Sequence, residues 1–316
     1  MIENSDNAPP VGRDDMVQPF QLDVSQLRGR LVRLDKELQE ILNRHAYPKA
    51  VAQLLAEAVT VASLLASLLK YQGVFTLQIK GDGLIPMLVV DVTSRGDMRG
   101  YARFAEENLP TLHALPISSP IGELLGKGYL AFTVDQGENS ERYQGIVELE
   151  GQKISDCLLH YFNQSEQLKT ALKIEAELRE TGWRSAGFLL QTLPLEGADR
   201  GVRSDSSAEA EEHWQRTMLL LATCTAQEML DWSIEPNDLL FRLFHEEKVR
   251  VYSPAGLRQG CRCSRQRVEN VLKSLSVEEI QHLLVDGKVS ATCEFCNDTY
   301  SFKENEVKAL KTNAEN

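Results

Sequence analysis

Four cysteines near the C-terminus carry the most specific chemistry in this chain: Cys261-x-Cys263 and, after 29 intervening residues, Cys293-x-x-Cys296. Two close pairs of soft sulfur ligands, on a stretch long enough to fold back, make a tetrahedral all-thiolate site of the kind that suits Zn²⁺. On spacing alone the ordinary reading is a structural zinc knuckle. A second reading is a redox switch. Structural zinc pairs usually carry two to four spacers, and the single spacer of Cys261-x-Cys263 puts two sulfurs where they can couple once the metal leaves. The other two cysteines, Cys157 and Cys224, lie in apolar helical patterns (SDCLLHYF and LLLATCTAQEML) and are expected as small buried core residues.

Other chemistry-bearing motifs give less. His245-x-Glu247 with Cys293-x-x-Cys296 has the outline of a zinc deaminase, in which His and two Cys bind zinc and Glu moves protons. Here Thr292 rather than proline precedes Cys293, and Cys261 and Cys263 are left without a role. His245 fits better at a helix end, where an imidazole complements the dipole. Gly122–Gly128 (GELLGKG) lacks one spacer and the Ser/Thr of a phosphate-binding P-loop, and with it the magnesium ligand. The six histidines have no companion motif, so no nucleophile–base pair is legible and the expectation is a protein that is not an enzyme.

The net charge is −12, yet residues 251–316 hold nine Lys+Arg and nine Asp+Glu, so the excess acid lies upstream of the cysteines. A nucleic-acid reader needs a concentrated basic face, and that class is set aside. Arg262, Arg265 and Arg267 cluster beside the first cysteine pair, where they read as counter-charge for a negative zinc–thiolate site. The opening MIENSDNAPPVGRDD is polar, with no basic stretch leading into an apolar core. Residues 1–16 are therefore expected as a disordered extension and the chain as cytoplasmic, where thiols stay reduced and metal binding outranks a disulfide framework.

These cysteines must be positioned by the rest of the chain. Residues 20–45 read as a strand followed by an amphipathic helix. Residues 47–73 read as a long apolar helix, with Pro48 at its start and Gly73 past its end. Gln53, Glu57, Thr60, Ser63 and Ser67 form one polar stripe on it, which suits a central core helix facing a partner strand or water rather than a membrane span. Period-two runs follow in VFTLQIK, MLVVDV, MRGYARF, GYLAFTV and RYQGIVEL, with turns at Gly81-Asp82-Gly83 and Gly137-Glu138-Asn139. A helix near 154–166 precedes two further strands, ALKIEAEL and AGFLLQTL. Strands mixed with segregated helices make residues 17–193 an α+β domain, a mixed sheet and helix core.

From Pro194 the pattern changes. Residues 191–250 carry twelve Asp+Glu against six Lys+Arg, with no sustained apolar period over LEGADRGVRSDSSAEAEEH. HWQRTMLLLATCTAQEMLDW and PNDLLFRLFHEEKVRVY then read as two amphipathic helices. Their large apolar residues Trp214, Met218, Trp232, Phe241 and Phe244 are the candidates for a surface that is docked in one state and adhesive in another. This makes 194–250 a helical linker of conditional stability. Residues 251–303 form the small zinc-binding unit, followed by a tail at 304–316. In the zinc unit Ser276-x-x-Glu279 is a capping box, Leu275 and Ile280 make its hydrophobic staple, Gly287 closes the helix, and KVSATC and TYSF flank a knuckle at Cys293-x-x-Cys296.

Taken together, the C-x-C…C-x-x-C arrangement with SRQR, LKSL, EEI, DGK and CEFCNDTYSF resembles the bacterial redox-regulated heat-shock chaperone of thirty-three kilodaltons. The match continues through EILNRHAYP, the Leu/Ala-rich helix, IKGDG, MRGYAR, ERYQGIVELEG, YFNQSEQL, AGFLLQTLP and LFRLFHEEKVRVY, in family order, over residues 17 to 303. The resemblance implies one Zn²⁺ held by Cys261, Cys263, Cys293 and Cys296 in the reduced state. It also implies an ATP-independent holdase, off when reduced and on when oxidised, with disulfides Cys261–Cys263 and Cys293–Cys296. The implied partners are unfolded or oxidatively damaged proteins, a second copy in an active homodimer, and ATP-dependent foldases downstream, with no nucleic acid and no membrane. The chain departs from the family in its polar N-terminal extension and in a longer acidic stretch at 196–212, both of which bear on linker stability. Two other classes stay open from the residues alone. One is a constitutive zinc-ribbon adaptor with a fixed partner; the other is a thiol oxidoreductase using Cys293-x-x-Cys296, which the hairpin context disfavours.

Overall fold

The computed structural model describes residues 12–136, 143–166, 168–192 and 207–312. The greater part of the N-terminal extension, the Gly137-Glu138-Asn139 turn and most of the acidic stretch at 196–212 lie outside the described residues. The chain divides into two compact units, Met1–Gln259 and Gly260–Asn316.

The first unit is built around one helix and two sheets that are antiparallel except for one short parallel pairing at the edge of the second. The segment 20–45 opens on two strands, β1 (Met16–Leu22) and β2 (Leu27–Leu34), before the short helix α1 (Lys36–Leu42). The long helix predicted there is therefore mostly a β-hairpin. LRGRLVRL satisfies a two-residue period as well as a helical one, and Phe20 resolves the ambiguity by packing its ring over Gly29 on the paired strand. A Cβ at Gly29 would stand 2.1 Å from that ring, so only glycine fits.

Helix α2 (Lys49–Ala66) follows, then β3 (Val74–Gly81), β4 (Met87–Thr93), β5 (Asp97–Arg103), two short helices α3 (Leu109–Ala114) and α4 (Ile121–Leu125), β6 (Gly128–Asp135) and β7 (Tyr143–Glu148). Helix α5 (Ile154–Tyr161) runs into a π-helical turn at Phe162–Glu166 and leads to β8 (Thr170–Arg179) and β9 (Gly182–Thr192). Strands β1, β2, β9 and β8 lie side by side in one sheet. Strands β5, β4, β3, β6 and β7 form the other.

Helix α2 packs on both sheets, touching β2, β8 and β9 on one side and β3, β4 and β5 on the other. It is long and apolar enough to cross a membrane, but 83% of that stretch is buried inside the protein. Its polar stripe is met internally. Thr60 Oγ1 lies 2.6 Å from Ser185 Oγ on β9, Ser63 Oγ lies 3.2 Å from Met98 Sδ, and Gln53 Nε2 donates to Glu57 Oε1 at 2.9 Å.

The β2–β9 sheet is buried on both faces, which is why β9 is buried without a break from Ser185 to Gln191. Val32, Leu34 and Leu189 join the core around α2, whereas Leu27, Leu31, Ala186, Phe188 and Leu190 face a second core. That second core is covered by α6 (Ser207–Thr223), α7 (Ala226–Met229) and α8 (Pro236–Phe244). The first of the two predicted linker helices is thus broken, because Thr225 and Glu228 form a capping box that starts α7 anew. VRVY is not helical: β10 (Val249–Val251) pairs with β1. The short strands β11 (Ala255–Gly256) and β12 (Arg258–Gln259) extend the two sheets along β1 and β5, so residues 251–259 complete the first unit and the second begins at Gly260.

The second unit contains α9 (Arg265–Ser274), α10 (Val277–Leu283), the hairpin β13 (Lys288–Thr292) and β14 (Thr299–Lys303), and α11 (Glu304–Thr312). Its core is Leu272, Ile280, Val289, Phe302 and Val307, so the expected tail is a helix that contributes a buried residue. Ser276 and Glu279 form the predicted capping box, with Leu275 and Ile280 packed into the same core. Gly287 plays a different part from the one read in the sequence. Asp286 and Gly287 both have positive φ (51° and 71°) and form the two-residue turn between Val285 and Lys288. Helix α10 ends earlier, at Leu283. Asp-Gly is the pair that such a turn favours, and it starts the strand that leads to Cys293.

Candidate metal centre

Two segments of the second unit bring the four sulfurs together. Cys261 and Cys263 lie on extended chain just before α9, whose first turn is capped by the Ser264 side chain accepting from Arg267 N–H. Cys293 follows β13, and Cys296 lies in the tight connection to β14. The Cys293 amide donates to Asp298 O at 2.9 Å and the Asn297 amide to Cys293 O at 2.8 Å, with Asn297 in a left-handed conformation. This connection folds the chain tightly between Cys293 and Asp298, and the sulfurs of Cys293 and Cys296 both join the four-sulfur cluster.

Sγ of Cys261 is 3.7 Å from that of Cys293, and Sγ of Cys263 is 3.3 Å from that of Cys296. All four sulfurs lie within 4.8 Å of one another. A tetrahedron with metal–sulfur bonds of about 2.3 Å has edges of about 3.8 Å, so the donor set fits a four-coordinate thiophilic ion. Burial raises the Cys263 and Cys296 thiols above their ordinary range, and the other sulfurs crowding Cys296 push in the same direction. A cation must displace those protons to bind.

Tyr300 touches this centre and was not singled out in the sequence. Its Oη lies 3.2 Å from Cys263 Sγ, and this hydrogen bond pushes the phenol up to about 12. The signal was available, since Tyr300 and Phe302 share a face of β14 by strand alternation and Phe302 is a core residue. Of the three arginines read as counter-charge, Arg265 is committed elsewhere. Its guanidinium stacks on Phe302 at 4.1 Å and pairs with Glu306 at 3.1 Å and Glu269 at 3.4 Å. Cys157 and Cys224 are fully buried in the first unit, as expected, and burial pushes the Cys224 thiol up to about 11.

The candidate adhesive residues divide. Phe244 is fully buried, stacked on Phe20 at 6.0 Å and edge-on to Phe188 at 6.4 Å. Trp214, Met218 and Trp232 pack against the same core from its margin. Phe241 does not dock: it is 63% exposed, because the buried face of α8 is set by Leu239, Leu240, Leu243 and Phe244. Two basic residues of the sheet also hold these helices. Lys173 Nζ donates to the carbonyls of Leu221, Ala222 and Cys224 at the end of α6, and fully buried Arg33 donates to Ile234 O at 2.6 Å beneath the Trp232 ring. Glu247 of the deaminase-like pattern is buried and taken by Arg216 at 2.6 Å. GELLGKG runs from a helix into a strand, the reverse of a P-loop.

Comparison with known proteins gives one consistent result. The family model described as Hsp33 protein matches residues 15–303. A 33 kDa chaperonin of Pseudomonas fluorescens is 38% identical over 298 residues, covering 94% of this chain and 93% of its own length. One from Caulobacter vibrioides is 37% identical over 302 residues, covering 94% of this chain and 97% of its own. The crystal structure of the 33 kDa chaperonin (heat shock protein 33 homolog) of Thermotoga maritima superposes with a TM-score of 0.78 at 26% identity, over 96% of this chain and 99% of that one. With a mixed α+β fold and four clustered cysteines beside that full-length match, this chain belongs to the Hsp33 family of chaperones.

Proposed function

We propose that the chain is a redox-regulated, ATP-independent holdase whose four clustered cysteines bind one Zn²⁺ in the inactive, reduced state. The observation that carries this reading is the convergence of four sulfurs within 4.8 Å on a unit whose own core is five apolar side chains. A unit of this size does not sustain itself on such a core, and a structural zinc ion contributes about 10–16 kcal/mol of apparent binding free energy. Zinc, when bound, keeps the sulfurs as thiolates and holds the unit folded.

The outline of the switch comes from the family resemblance, and its chemistry is that of the chain's own thiols. A thiolate attacks a peroxide, forming an S–O bond as the O–O bond breaks and hydroxide leaves. A neighbouring thiolate then attacks that sulfur, forming S–S and expelling a second hydroxide. The family resemblance implies Cys261–Cys263 and Cys293–Cys296 as the products, and once the first has formed, two remaining sulfurs would no longer hold the ion. The second unit loses its support, and the helices α6–α8 leave the sheet. Their departure uncovers Phe20, Phe188 and Phe244 together with Trp214, Met218 and Trp232, a surface for unfolding or oxidatively damaged proteins. Residues 194–250 act as the conditional linker and the cysteine unit as the switch. The active form is a homodimer in the cytoplasm that passes clients to ATP-dependent foldases. These last features rest on the family resemblance.

Mass spectrometry of the peroxide-treated chain tests the chemistry. The reading requires Cys261–Cys263 and Cys293–Cys296 linkages with Cys157 and Cys224 still free, and loss of one zinc per chain. Cross-linkage between the two pairs as the stable product, or no zinc to lose, would sink it.

A further inference from the structure

We infer that Tyr300 is a positioning residue for the thiolate centre: its hydroxyl donates to Cys263 Sγ and makes that sulfur a stronger holder of metal and a weaker nucleophile. The inference rests on the zinc-switch reading above and adds a residue that governs how readily the switch yields.

The geometry is specific. Tyr300 Oη is 3.2 Å from Cys263 Sγ, within hydrogen-bond range for a sulfur acceptor. A phenol carries one proton to give, and a metal-bound thiolate carries none, so the hydroxyl can only be the donor there. The ring is fixed from below. Tyr300 stands opposite Ala291 in the hairpin register and packs on the core of Leu272, Ile280, Val289 and Phe302. The bond therefore spans two elements, reaching from β14 to the segment before α9, and ties the first cysteine pair to the strand that follows the second.

The physical consequence has two parts. A hydrogen bond to a thiolate draws electron density from sulfur and spreads the negative charge that four thiolates concentrate around one divalent ion, which favours the loaded site. Partners of this kind, behind the ligands themselves, change metal affinity by about 10–100-fold when removed. The same withdrawal lowers the sulfur's attack on an oxidant, in which S–O forms, O–O breaks and hydroxide leaves a peroxide. Tyr300 thus sets a threshold, and Cys263 is the sulfur it guards.

The test is Tyr300→Phe in the full chain, which removes one oxygen and keeps the ring in the core. Ser301→Ala serves as control. It removes a hydroxyl from the same strand, one that bonds Ser290 at 3.0 Å and no sulfur. Zinc affinity by chelator competition should fall about 10–100-fold in Tyr300→Phe, and peroxide-driven zinc release should accelerate. With Co²⁺ in place of zinc, the sulfur-to-metal charge-transfer band should move to longer wavelength, a signature that loosened packing alone does not produce. Ser301→Ala should match wild type in all three. Wild-type behaviour of Tyr300→Phe, or an equal loss in Ser301→Ala, overturns the inference while leaving the zinc switch standing. A wild-type chain that binds no zinc overturns both.

Discussion

Phe244→Ala should open the helical cover of the sheet without oxidation, and its neighbour three residues upstream should not. Phe244 is fully buried between Phe20 and Phe188, with ring centroids 6.0 and 6.4 Å away. Truncating a buried phenylalanine costs about 3–5 kcal/mol, of which each aromatic pair accounts for roughly 0.5–1.5. If that cost falls on the docked state of α6–α8, the open population rises by roughly two to four orders of magnitude. Phe241, at 63% exposure, touches too little to matter, and Phe241→Ala should stay within about 0.5 kcal/mol. Hydrogen exchange on the reduced, zinc-loaded protein reads both. Amides of residues 207–247 should exchange faster in Phe244→Ala by that factor, while β3, β4 and β6 keep their protection. The same variant should suppress client aggregation without peroxide. Unchanged exchange over 207–247 in Phe244→Ala, or equal acceleration in Phe241→Ala, would refute the account of what holds the cover down.

Cys261→Ser and Cys293→Ser each remove a proposed ligand, so zinc content should fall and holdase activity, read by light scattering of a heat-denatured client, should lose its dependence on peroxide; Cys157→Ser and Cys224→Ser should keep both. The Cys263 and Cys296 thiols are held above their usual range, so metal binding releases at least two protons and affinity should fall with falling pH, by at least about a hundredfold per unit between pH 8 and 6 when followed by chelator competition. Lys173→Met leaves three carbonyls at the end of α6 without their ammonium and should lower stability by about 1–3 kcal/mol in urea unfolding.

Much of this was legible in the chain, for identifiable reasons. The cysteine spacing, the Ser276–Glu279 capping box and the alternation of VFTLQIK or MLVVDV are local signals, and each appears where it was read. What was missed depends on partners distant in sequence. LRGRLVRL became a strand because Phe20 closes over Gly29, and VRVY became one because β1 offers an edge. Residues 251–259 belong to the first unit for the same reason, since their partners are β1 and β5. Phe241 was misplaced because the apolar face of α8 is wider than one ring and its centre falls on Leu240 and Phe244. Thr225–Glu228 is a local signal of the same capping-box form as Ser276–Glu279, and it marks the break between α6 and α7. Gly287 was assigned to the wrong neighbour, because a glycine after a helix and a glycine in a tight turn look alike until Asp286 before it is weighed.

In the function proposed above, loss of metal from the four cysteines turns holdase activity on. One peroxide time course, recording zinc release with a chromogenic chelator and withdrawing samples into a client light-scattering assay, tests it most directly. Zinc release should come first or together with protection, the two should share a dependence on peroxide concentration, and reductant with added zinc should reverse both. Full protection before any zinc is released, or complete zinc release with no gain in protection, would contradict it.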